Sequence, residues 1–515
     1  MSLPQQKPAK YNWQNTYTAK QVLANESLVA NQEKIAMYAL MERAGNAVFK
    51  ALIQGWPMTK SILILCGKGN NGGDGFIAAR LAHLANINTT VLVTCDIKDL
   101  KGDALIAYQA MVKAGVSNII TDNLANVITE FTGDVLVDAL FGIGFSGVLD
   151  EPLQQLISNI NCKDIDVLSV DIPSGLCATT GFVNDDVAII ADMTVTFIVY
   201  KQGLFTGQAA NFVGEIVLAD IGLGEAFHQF VVSQTRYQSH TSSTRISLLT
   251  ALKERVNTSH KGNIGQILAI GGGLGMPGAI RLASEAALRC GASLVAVSCH
   301  SNNVALVVNG RPELMIAPNE VTPLLSSDMM KKSNVLIMGP GLGQTDWSKD
   351  MFNMIISEVL ASKNKWLVLD ADGLNLLADT KLFYSRWILT PHPKEAARLL
   401  QCNVKDVEAD RFSAVKKIAT QYGGICILKG AGTLISDGSQ TVINSTGNAG
   451  MASGGMGDVL AGVVAALTLQ ANDYFTAACL AVYIHGASGD IIAKNNGQRG
   501  MLASDLFIPL QKIVN

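Results

Sequence analysis

Short apolar runs rich in β-branched residues alternate along the first half of this chain with segments of helical periodicity. The runs are ILILC (62–66), TVLVTC (90–95), VLVDA (135–139), DVLSVD (166–171), DMTVTFI (192–198) and EIVLADI (215–221). Such alternation is typical of βαβ units, in which successive strands are parallel and helices cover the sheet. The sequence therefore predicts an α/β fold.

The alternation restarts in the second half of the chain. Its apolar runs are QILAI (266–270), SLVAV (293–297), VLIMG (335–339), WLVLD (366–370) and ICILK (425–429), with helical patterns at 278–290 and 408–420. Between the halves, FHQFVVSQTRYQSHTSSTR loses its periodicity, which predicts a linker near 225–240. A length of 515 residues with 49% apolar content fits two domains, each with its own core.

Charge and cysteine usage exclude several classes of protein. Lys and Arg number 39 against 42 Asp and Glu, without a basic block, so we expect no nucleic-acid partner. The nine cysteines are scattered without a CxxC pair, which is typical of a reducing compartment. The N-terminus has no apolar leader, and no segment reaches about 18 uninterrupted apolar residues. We predict a cytoplasmic protein with no membrane partner.

The stretch ILILCGKGNNGGDGF (62–76) places a glycine-rich loop directly after a predicted strand. Glycines leave room for a ligand near the backbone, and the following helix start offers unpaired N–H groups, an arrangement suited to phosphate. The loop matches neither the dinucleotide GxGxxG pattern nor a P-loop. On its own it fits a purely structural turn equally well.

Two aspartates close other predicted strands of the same sheet. Asp138 ends VLVDA and precedes a second glycine-rich loop, residues 142–148, whereas Asp171 ends DVLSVD and precedes IPSGL. Because ligands of parallel sheets bind at the carboxyl ends of strands, we expect these loops to converge. Oxygens of Asn71, Asp138 and Ser174 would suit a hard cation. The alternative is that both aspartates only cap turns.

Three separated motifs, GNNGGDG (69–75), DALFGIGFSGV (138–148) and VDIPSGL (170–176), resemble in order the signature loops of the NAD(P)H-hydrate epimerases. The resemblance covers residues 16–226 and implies a Rossmann-like, three-layer αβα domain. It implies that the hydrated nucleotide is bound by Asn70, Asn71, Gly72, Gly73, Asp74, Gly142, Ile143, Gly144, Phe145, Ser146, Gly147, Val148 and Asp171. It also implies a potassium ion held by Asn71, Asp138 and Ser174.

The chemistry that this resemblance implies needs a proton acceptor and donor near C6 of the hydrated nicotinamide ring. C6 carries a hydroxyl and is bonded to the ring nitrogen, and epimerisation requires a reversible loss of its configuration. Asp171 is the predicted catalytic residue.

The informative stretch of the second half is NAGMASGGMGDVLAGVVAAL (448–467). Its glycine loop ends in Gly457 and Asp458 and opens into an apolar helix, so amide N–H groups and a carboxylate meet at one helix start. Phosphoryl transfer uses such N–H groups to stabilise phosphoryl oxygens and a carboxylate to take a proton from the attacking hydroxyl. As an isolated motif, a capped helix is equally consistent.

Three further motifs supply polar groups at predicted strand ends. LKGAGTLIS (428–436) contributes Lys429, and LDADGLN (369–375) contributes Asp370 and Asp372, which would hold Mg²⁺ through water. TPHPKEAARLL (390–400) places His392 between two prolines. A lone histidine is more often structural, so its predicted role rests on that constrained loop.

Together with GGGLGMPGA (271–279) and MGPGLG (338–343), these motifs resemble the ribokinase-like superfamily and, within it, the ADP-dependent NAD(P)H-hydrate dehydratases. The resemblance covers residues 235–513. It implies contacts with the hydrate from Ala279, Gly343, His392 and Asp458, with Gly341 as the alternative to Gly343, and it implies Asp458 as the catalytic base. The adenine nucleotide would be bound by Lys429, Gly430, Ala431, Gly432, Thr433 and Gly457.

The two resemblances together predict a bifunctional enzyme that repairs hydrated nicotinamide nucleotides. It would convert the R hydrate of NADH or NADPH to the S form and dehydrate the S form with ADP, releasing AMP and phosphate. The alternative is a small-molecule kinase fused to a non-catalytic nucleotide-binding module. The residues decide neither between ADP and ATP nor between the two hydrates, and a homo-oligomer is compatible with both resemblances.

Overall fold

The computed structural model describes residues 14–238, 248–362, 364–380 and 382–515. The chain divides into two compact units, with the boundary between Thr235 and Arg236. This boundary falls within the linker that the sequence predicted near 225–240, although a helix, Gly224–Phe230, and a strand, Thr235–Gln238, form much of that segment. Residues 239 and 240 of the predicted linker lie outside the described residues.

The N-terminal unit alternates strands and helices. Its strands are β1 (Gln14–Tyr17), β2 (Ser61–Cys66), β3 (Asn88–Val93), β4 (Ile119–Ile120), β5 (Val135–Ala139), β6 (Asp166–Val170), β7 (Met193–Phe197), β8 (Tyr200–Lys201) and β9 (Glu215–Ala219). Its helices are α1 (Ala19–Gln32), α2 (Met37–Gly55), α3 (Asn70–Leu84), α4 (Gly102–Lys113), α5 (Leu124–Glu130), α6 (Glu151–Asn161) and α7 (Gly224–Phe230). Strand β10 (Thr235–Gln238) follows at the unit boundary.

The main sheet of this unit has the order β4-β3-β2-β5-β6-β7-β9, and all its pairings are parallel. Alternate residues of β2 contribute to two different cores, Ile62 and Ile64 to one, Leu63 and Leu65 to the other. A sheet buried on both faces explains why its strands read as continuous apolar runs. The strands β3 and β4 extend the sheet on one side of β2, and the later strands extend it on the other side, starting with β5. Folds of this kind bind ligands at such a change in strand order, here between β2 and β5.

The C-terminal unit is a second α/β unit. Its strands are β11 (Gln266–Ile270), β12 (Leu294–Ser298), β13 (Met315–Ile316), β14 (Ser333–Met338), β15 (Trp366–Leu369), β16 (Trp387–Leu389), β17 (Ile425–Leu428), β18 (Leu434–Ser436) and β19 (Thr441–Asn444). Its helices are α8 (Lys261–Ile264), α9 (Pro277–Arg289), α10 (Val304–Val308), α11 (Val321–Ser326), α12 (Asp328–Lys332), α13 (Asp346–Ser362), α14 (Asp372–Ala378), α15 (Pro393–Leu400), α16 (Val404–Ala409), α17 (Arg411–Tyr422), α18 (Met456–Gln470), α19 (Tyr474–Asn496) and α20 (Phe507–Ile513).

Within this unit the strand order is β13-β12-β11-β14-β15-β16-β17-β18-β19. Pairing is parallel from β13 to β17, and the last two pairings are antiparallel. Helices α9 and α18 cross at very close range, because a Cβ added at Gly462 would overlap the carbonyl oxygen of Ala283. Glycine at this position lets the two helix backbones touch.

One helix, α19, is long and apolar enough to cross a membrane by length and composition. Of its most apolar window, 78% is buried inside the protein. The residues that it buries belong to the main core of the C-terminal unit, together with those of α18. Within the described residues, burial in this core explains why α19 is apolar.

Every predicted apolar run forms a strand, with boundaries that differ from the prediction by at most about two residues, an ordinary uncertainty for element ends. The helical pattern at 278–290 becomes α9 (Pro277–Arg289), and the pattern at 408–420 becomes α17 (Arg411–Tyr422). The sequence analysis missed the short strands β1, β4, β8, β10, β13, β16, β18 and β19. The predicted α/β architecture with parallel sheets is confirmed for both units.

Candidate active sites

In the N-terminal unit, Asp138 is a fully buried carboxylate at the end of β5. It accepts hydrogen bonds from the Ser174 hydroxyl at 2.6 Å, the Ser174 amide at 2.8 Å and the Ser169 hydroxyl at 3.0 Å. Burial raises the pKa of Asp138, and these hydrogen bonds oppose the rise. Among the described residues no cationic side chain pairs with it. A buried carboxylate without such a partner fits a cation site.

Asn71, in the first turn of α3, is buried beside the second glycine-rich loop. A Cβ added at Gly142 would lie 3.1 Å from the Asn71 Oδ1 atom. The Asn71 Nδ2 group is buried and has no hydrogen-bond partner among the described residues. An unsatisfied buried amide is costly unless a ligand completes it. Asn71, Asp138 and Ser174 lie at or after the carboxyl ends of β2, β5 and β6, which are neighbouring strands.

Asp171 directly follows β6 and is held by a buried lysine. Its backbone has a φ of +66°, a left-handed conformation that is rare outside glycine. Its Oδ1 atom accepts hydrogen bonds from Lys201 Nζ at 2.6 Å and from the Thr196 hydroxyl at 3.1 Å. Lys201 is 1% exposed and also donates to the Phe197 carbonyl at 2.7 Å. The ion pair fixes the carboxylate of Asp171.

The sequence analysis missed Lys201. No motif contains it, but it is the single charged residue after the apolar strand DMTVTFI, within VYKQG (199–203). A lysine in such a run is a signal of a buried pair, because burying an unpaired ammonium is prohibitive.

Two more acids surround this ion pair. Burial, followed by the charges of Asp171 and Glu26, raises the pKa of Asp74 well above its usual range, and Lys201 opposes the rise. Burial is also the main cause that raises the pKa of Glu26, on α1. Three carboxyl groups around one ammonium cannot all ionise cheaply. Burial and the neighbouring carboxylates therefore favour the neutral form of Asp74.

Gly72 and Gly73 of GNNGGDG do not leave the space that the sequence analysis expected. A Cβ at Gly72 would overlap the carbonyl oxygen of Gly67, and one at Gly73 would lie 2.6 Å from Met41 Sδ. These positions are therefore filled by packing within the protein. The groups available at this helix start are backbone amides instead: the first intrahelical bond runs from the Gly73 amide to the Gly69 carbonyl at 3.1 Å. The amides of residues 70–72 point outward from the helix start.

The second loop faces solvent and a cavity. Ile143, Gly144, Phe145 and Ser146 line a cavity of about 510 Å³ together with parts of α1 and residues 177–179. The carbonyl of Gly147 accepts a hydrogen bond from Asn184 at 2.6 Å, and Val148 is 63% exposed. The structure thus places residues 143–146, rather than the whole loop, at a concave surface.

In the C-terminal unit, Lys429 lies between two carboxylates at the end of β17. Its Nζ atom is 2.7 Å from Asp370 Oδ1 and 3.8 Å from Glu395 Oε2. Burial opposes the ammonium, but Asp370 and Glu395 outweigh it and raise the pKa of Lys429. A Cβ added at Gly457 would lie 3.3 Å from this Nζ atom. The lysine therefore lies directly against the first turn of α18.

Asp458 occupies the same first turn. Burial, with the charges of Asp370 and other acids, raises its pKa to about 7, while Lys429 opposes the rise. A base whose pKa lies near neutral pH is well matched to accepting and returning a proton. The amides of residues 456–458 precede the bond from Val459 to Gly455, so they point out of the helix start beside Asp458.

His392 caps helix α15. Its Nδ1 atom accepts a hydrogen bond from the Lys394 amide at 3.1 Å, and the Glu395 carboxylate accepts one from the His392 amide at 2.8 Å. Burial, followed by the charge of Lys429, lowers the pKa of His392. Because Nδ1 is an acceptor, the neutral ring carries its proton on Nε2. His392 is thus a hydrogen-bond donor at the edge of the group formed by Lys429, Asp370 and Glu395.

Two glycine-rich loops of the same unit are joined by backbone hydrogen bonds. The Gly272 amide donates to the Pro340 carbonyl at 3.0 Å, and the Gly273 amide donates to the Gly341 carbonyl at 2.7 Å. Ala279 is the neighbour of Gly341, whose added Cβ would lie 3.1 Å from that of Ala279. The Gly343 amide instead donates to Asp372 Oδ2 at 2.8 Å. Gly341 therefore lies against Ala279, whereas a hydrogen bond to Asp372 holds the backbone of Gly343.

Comparison with known proteins gives the same two units. The family described as NAD(P)H-hydrate dehydratase matches residues 267–512, and the family described as YjeF-related protein N-terminus matches residues 37–203. The bifunctional NAD(P)H-hydrate repair enzyme Nnr of Coxiella burnetii is 41% identical over 504 residues, covering 97% of this chain and 99% of that protein. This chain belongs to the family of bifunctional NAD(P)H-hydrate repair enzymes.

Two further comparisons agree with this assignment. The bifunctional NAD(P)H-hydrate repair enzyme Nnr of Escherichia coli K12 is 40% identical over 498 residues, 96% of this chain and 93% of that protein. The crystal structure of a ribokinase-like superfamily protein from Enterococcus faecalis is 28% identical and covers 55% of this chain and 96% of that chain, with a TM-score of 0.50. The predicted family and the predicted two-domain enzyme are confirmed.

In this repair enzyme, a buried arginine that the sequence analysis missed holds the loop after β17. Arg411 is 1% exposed and donates to the Lys429 carbonyl at 3.0 Å and the Leu428 carbonyl at 3.3 Å. Gly430 has a φ of +138°, and a Cβ there would lie 2.8 Å from Arg411. Gly430 and Ala431 are exposed, Gly432 has a φ of +59°, and the Thr433 hydroxyl donates to the Gly430 carbonyl at 2.8 Å.

A buried histidine fixes the start of α18 in a similar way. His485 Nε2 lies 3.0 Å from the Met456 carbonyl, and burial lowers the pKa of His485 to about 4. A neutral imidazole therefore donates to the residue that precedes Gly457. Nothing in the sequence distinguishes His485 from the other residues of its apolar helix.

The structure limits how magnesium would bind to this repair enzyme. Across the described ranges, no group of three or more His, Cys, Asp or Glu side chains is arranged to hold a metal ion. Asp370 Oδ1 already accepts hydrogen bonds from Lys429 at 2.7 Å and from the Thr390 hydroxyl at 2.8 Å. This donor set fits a magnesium ion that arrives with a nucleotide and keeps most of its water, as predicted for Asp370 and Asp372.

Proposed function

We propose that the N-terminal unit interconverts the R and S hydrates of NADH and NADPH, and that the C-terminal unit dehydrates the S hydrate with ADP. AMP and phosphate are the other products. The observation that carries this proposal is the cluster at the start of α18, where Asp458, with a pKa of about 7, lies in one turn with Gly457 and against Lys429. We also propose a cytoplasmic location, which the free thiols of all nine cysteines support.

Dehydration needs a better leaving group than hydroxide. The Asp458 carboxylate takes the proton of the C6 hydroxyl, and the resulting oxygen attacks the β-phosphorus of ADP, so that AMP leaves. The ring nitrogen then supplies the electron pair that breaks the C6–O bond, which releases phosphate and leaves an iminium at N1 and C6. Transfer of one C5 proton to the departing phosphate restores the C5–C6 double bond of the dihydropyridine. Lys429 and the amides at the start of α18 stabilise the negative charge of the transferring group.

The remaining predicted residues of this unit have supporting roles. His392, as a neutral donor through Nε2, binds the hydrate, and Ala279 and the glycines at 341 and 343 form the wall against which it lies. The loop from Lys429 to Thr433 binds the nucleotide through its exposed backbone. When bound with ADP, magnesium supplies charge that offsets the carboxylates of Asp370 and Asp372.

Epimerisation uses the ion pair of the N-terminal unit. The carboxylate of Asp171, oriented by Lys201 at 2.6 Å, accepts the C6 hydroxyl proton while the C6–N1 bond opens to an aldehyde, and Asp74 supplies a proton to the ring nitrogen. When the ring nitrogen attacks the other face of the aldehyde and both proton transfers run in reverse, the ring closes with the opposite configuration at C6. Asn71, Asp138 and Ser174 would hold a potassium ion, which supplies positive charge at the carboxyl ends of β5 and β6 when bound.

A spectrophotometric assay tests the dehydration. The wild type, given the S hydrate of NADH with ADP or with ATP, recovers the absorbance of reduced nicotinamide and releases phosphate, because phosphorylation is followed by elimination. Asp458→Asn stops this recovery while the R and S hydrates still interconvert. Accumulation of a phosphorylated product without recovery would instead support a kinase, the alternative function.

The epimerase is tested with the pure R hydrate and no ADP, so that dehydration does not occur. Chromatography of the two epimers follows the approach to equilibrium. Asp171→Asn abolishes the interconversion but leaves the affinity for the hydrates within about an order of magnitude. Retained turnover would remove Asp171 from the mechanism.

A further inference from the structure

A cavity of about 510 Å³ in the N-terminal unit is lined in part by Ala178 and Thr179, whose carbonyls accept hydrogen bonds from the two residues that follow Lys201 of the ion pair. The first turns of α1, residues 143–146 and residues 177–179 line this cavity. Its volume lies in the range of roughly 300–1,000 Å³ that is typical of small-ligand pockets. Because Asp171 and Lys201 are not among the lining residues, the cavity is suited to a part of the substrate other than its reacting ring.

The lining combines one cation with apolar and hydroxyl-bearing residues. Among the described lining residues, Lys20 is the only Lys, Arg, Asp or Glu, and its side chain is exposed. Within the part of the chain that the structure describes, no acidic side chain pairs with Lys20. Leu23 and Phe145 offer apolar surface, and Ser146 offers a hydroxyl. The pocket therefore suits an aromatic base that carries an anionic group.

The start of α1 adds to the positive potential of the cavity. The helix has 14 residues and is closed at its start by a capping box between Thr18 and Gln21. The Ala19 amide donates to the Thr179 hydroxyl at 3.0 Å, which fixes the helix start against residues 177–179. The positive end of the helix dipole and the Lys20 ammonium thus face the same space.

We infer that this cavity binds the adenosine half of the hydrate and that Lys20 contacts its 2′-phosphate, so that the N-terminal site prefers the hydrate of NADPH to that of NADH. This inference rests on the proposed epimerase function. Sites that select NADH place a carboxylate on the ribose 2′-hydroxyl, whereas sites that select NADPH place a cation on the 2′-phosphate. The lining has the cation and no carboxylate.

Hydrogen–deuterium exchange of the full chain tests the cavity without any turnover. The probes are adenosine 2′,5′-bisphosphate and 5′-AMP, titrated separately while exchange is read in the segments 19–24, 143–146 and 177–179. The bisphosphate should protect these segments at about tenfold lower concentration than 5′-AMP, because a charge-assisted contact to phosphate is worth about that factor. Lys20→Gln should remove this advantage, and Lys20→Arg should keep it.

Lys50, an exposed lysine on α2 that does not line the cavity, provides the matched control. Lys50→Gln should leave the advantage of the bisphosphate in place. Equal protection by the two probes in the wild type, protection confined to the C-terminal unit, or an unchanged advantage in Lys20→Gln would each overturn the inference.

A kinetic measurement separates this inference from the proposed function. The ratio of kcat/KM for the R hydrates of NADPH and NADH should exceed one in the wild type and fall about tenfold in Lys20→Gln. A wild type that epimerises both hydrates with an unchanged ratio in Lys20→Gln would overturn the inference alone. A wild type that epimerises neither would overturn the proposed function, while the exchange experiment would still decide what the cavity binds.

Discussion

Replacing Asp458 by asparagine should stabilise the C-terminal unit while it inactivates the dehydratase. Asp458 has a pKa of about 7 in the folded protein, compared with an ordinary value of 3.8, mainly because burial and Asp370 disfavour its charge. The ionised carboxylate therefore lowers the free energy of unfolding. Asparagine has nearly the same shape and carries no charge, so the variant lacks this penalty.

The size and the pH dependence of the effect follow from the two pKa values. At about 1.4 kcal/mol per pKa unit, the difference between 3.8 and about 7 corresponds to about 4 kcal/mol. Solvent reaches part of the Asp458 side chain, which reduces the expected gain to roughly 2–4 kcal/mol. Because the folded-state pKa is the higher one, the penalty is absent below pH 3.8, grows as pH rises and is complete above about pH 7.

Differential scanning calorimetry of the ligand-free protein measures this gain. At pH 8 the unfolding transition of the C-terminal unit in Asp458→Asn should lie on the order of 5–10 °C above that of the wild type. The difference should shrink steadily as pH falls toward 4. Equal transitions at pH 8, or a difference that does not change with pH, would show that Asp458 carries no burial penalty.

Asp437→Asn is the matched control of opposite sign. Hydrogen bonds from residues 439 and 440 outweigh burial and lower the pKa of Asp437. A carboxylate with a lowered pKa stabilises the fold above its ordinary pKa, and this contribution is lost as pH falls through the folded value. The variant should therefore unfold at a lower temperature than the wild type at pH 8.

Three further predictions concern both units. Lys201→Met should destabilise the N-terminal unit by about 3–5 kcal/mol in chemical denaturation, because Asp171 is left as an unpaired buried charge. The double variant with Asp171→Asn should recover most of this stability but no epimerase activity. Gly72→Ala should cost roughly 1–3 kcal/mol through overlap with the Gly67 carbonyl, whereas Gly69→Ala, which meets no atom within 4 Å, should unfold like the wild type in the same experiment. The kcat of the dehydratase should fall about tenfold for each pH unit below about 7, since Asp458 must be ionised to act as a base, and a flat pH–rate profile would exclude that role.

The sequence predicted the elements whose residues are buried on both faces. VLVDA at 135–139 forms a strand with the same boundaries, because a strand inside a covered parallel sheet reads as an unbroken apolar run. Trp387–Leu389 was missed, because three residues are too few to show a periodicity. The predicted linker contains the boundary between the units, but β10 within it was missed for a related reason: its polar sequence TRYQ has no strand pattern.

The same distinction applies to the candidate sites. Asp138 and Asp171 were found because they end apolar runs, and the rule for parallel sheets places such ends together. Lys201 and Arg411 belong to no motif, and only the folded chain shows that their charges are buried against Asp171 and the Lys429 carbonyl. The role of Gly72 was also misread, since a glycine that admits a ligand and one that admits a neighbouring carbonyl look identical in a sequence.

The close crossing of α9 and α18 has a consequence for the geometry of the proposed dehydratase site. Ala279 and Asp458 each precede their crossing residues, Ala283 and Gly462, by four positions, or about one helical turn. The contact of the two backbones therefore fixes the spacing between Ala279, the proposed hydrate-binding residue, and Asp458, the proposed base. A side chain at Gly462 would push the two helices apart and displace both residues together, although Gly462 lies outside the proposed site.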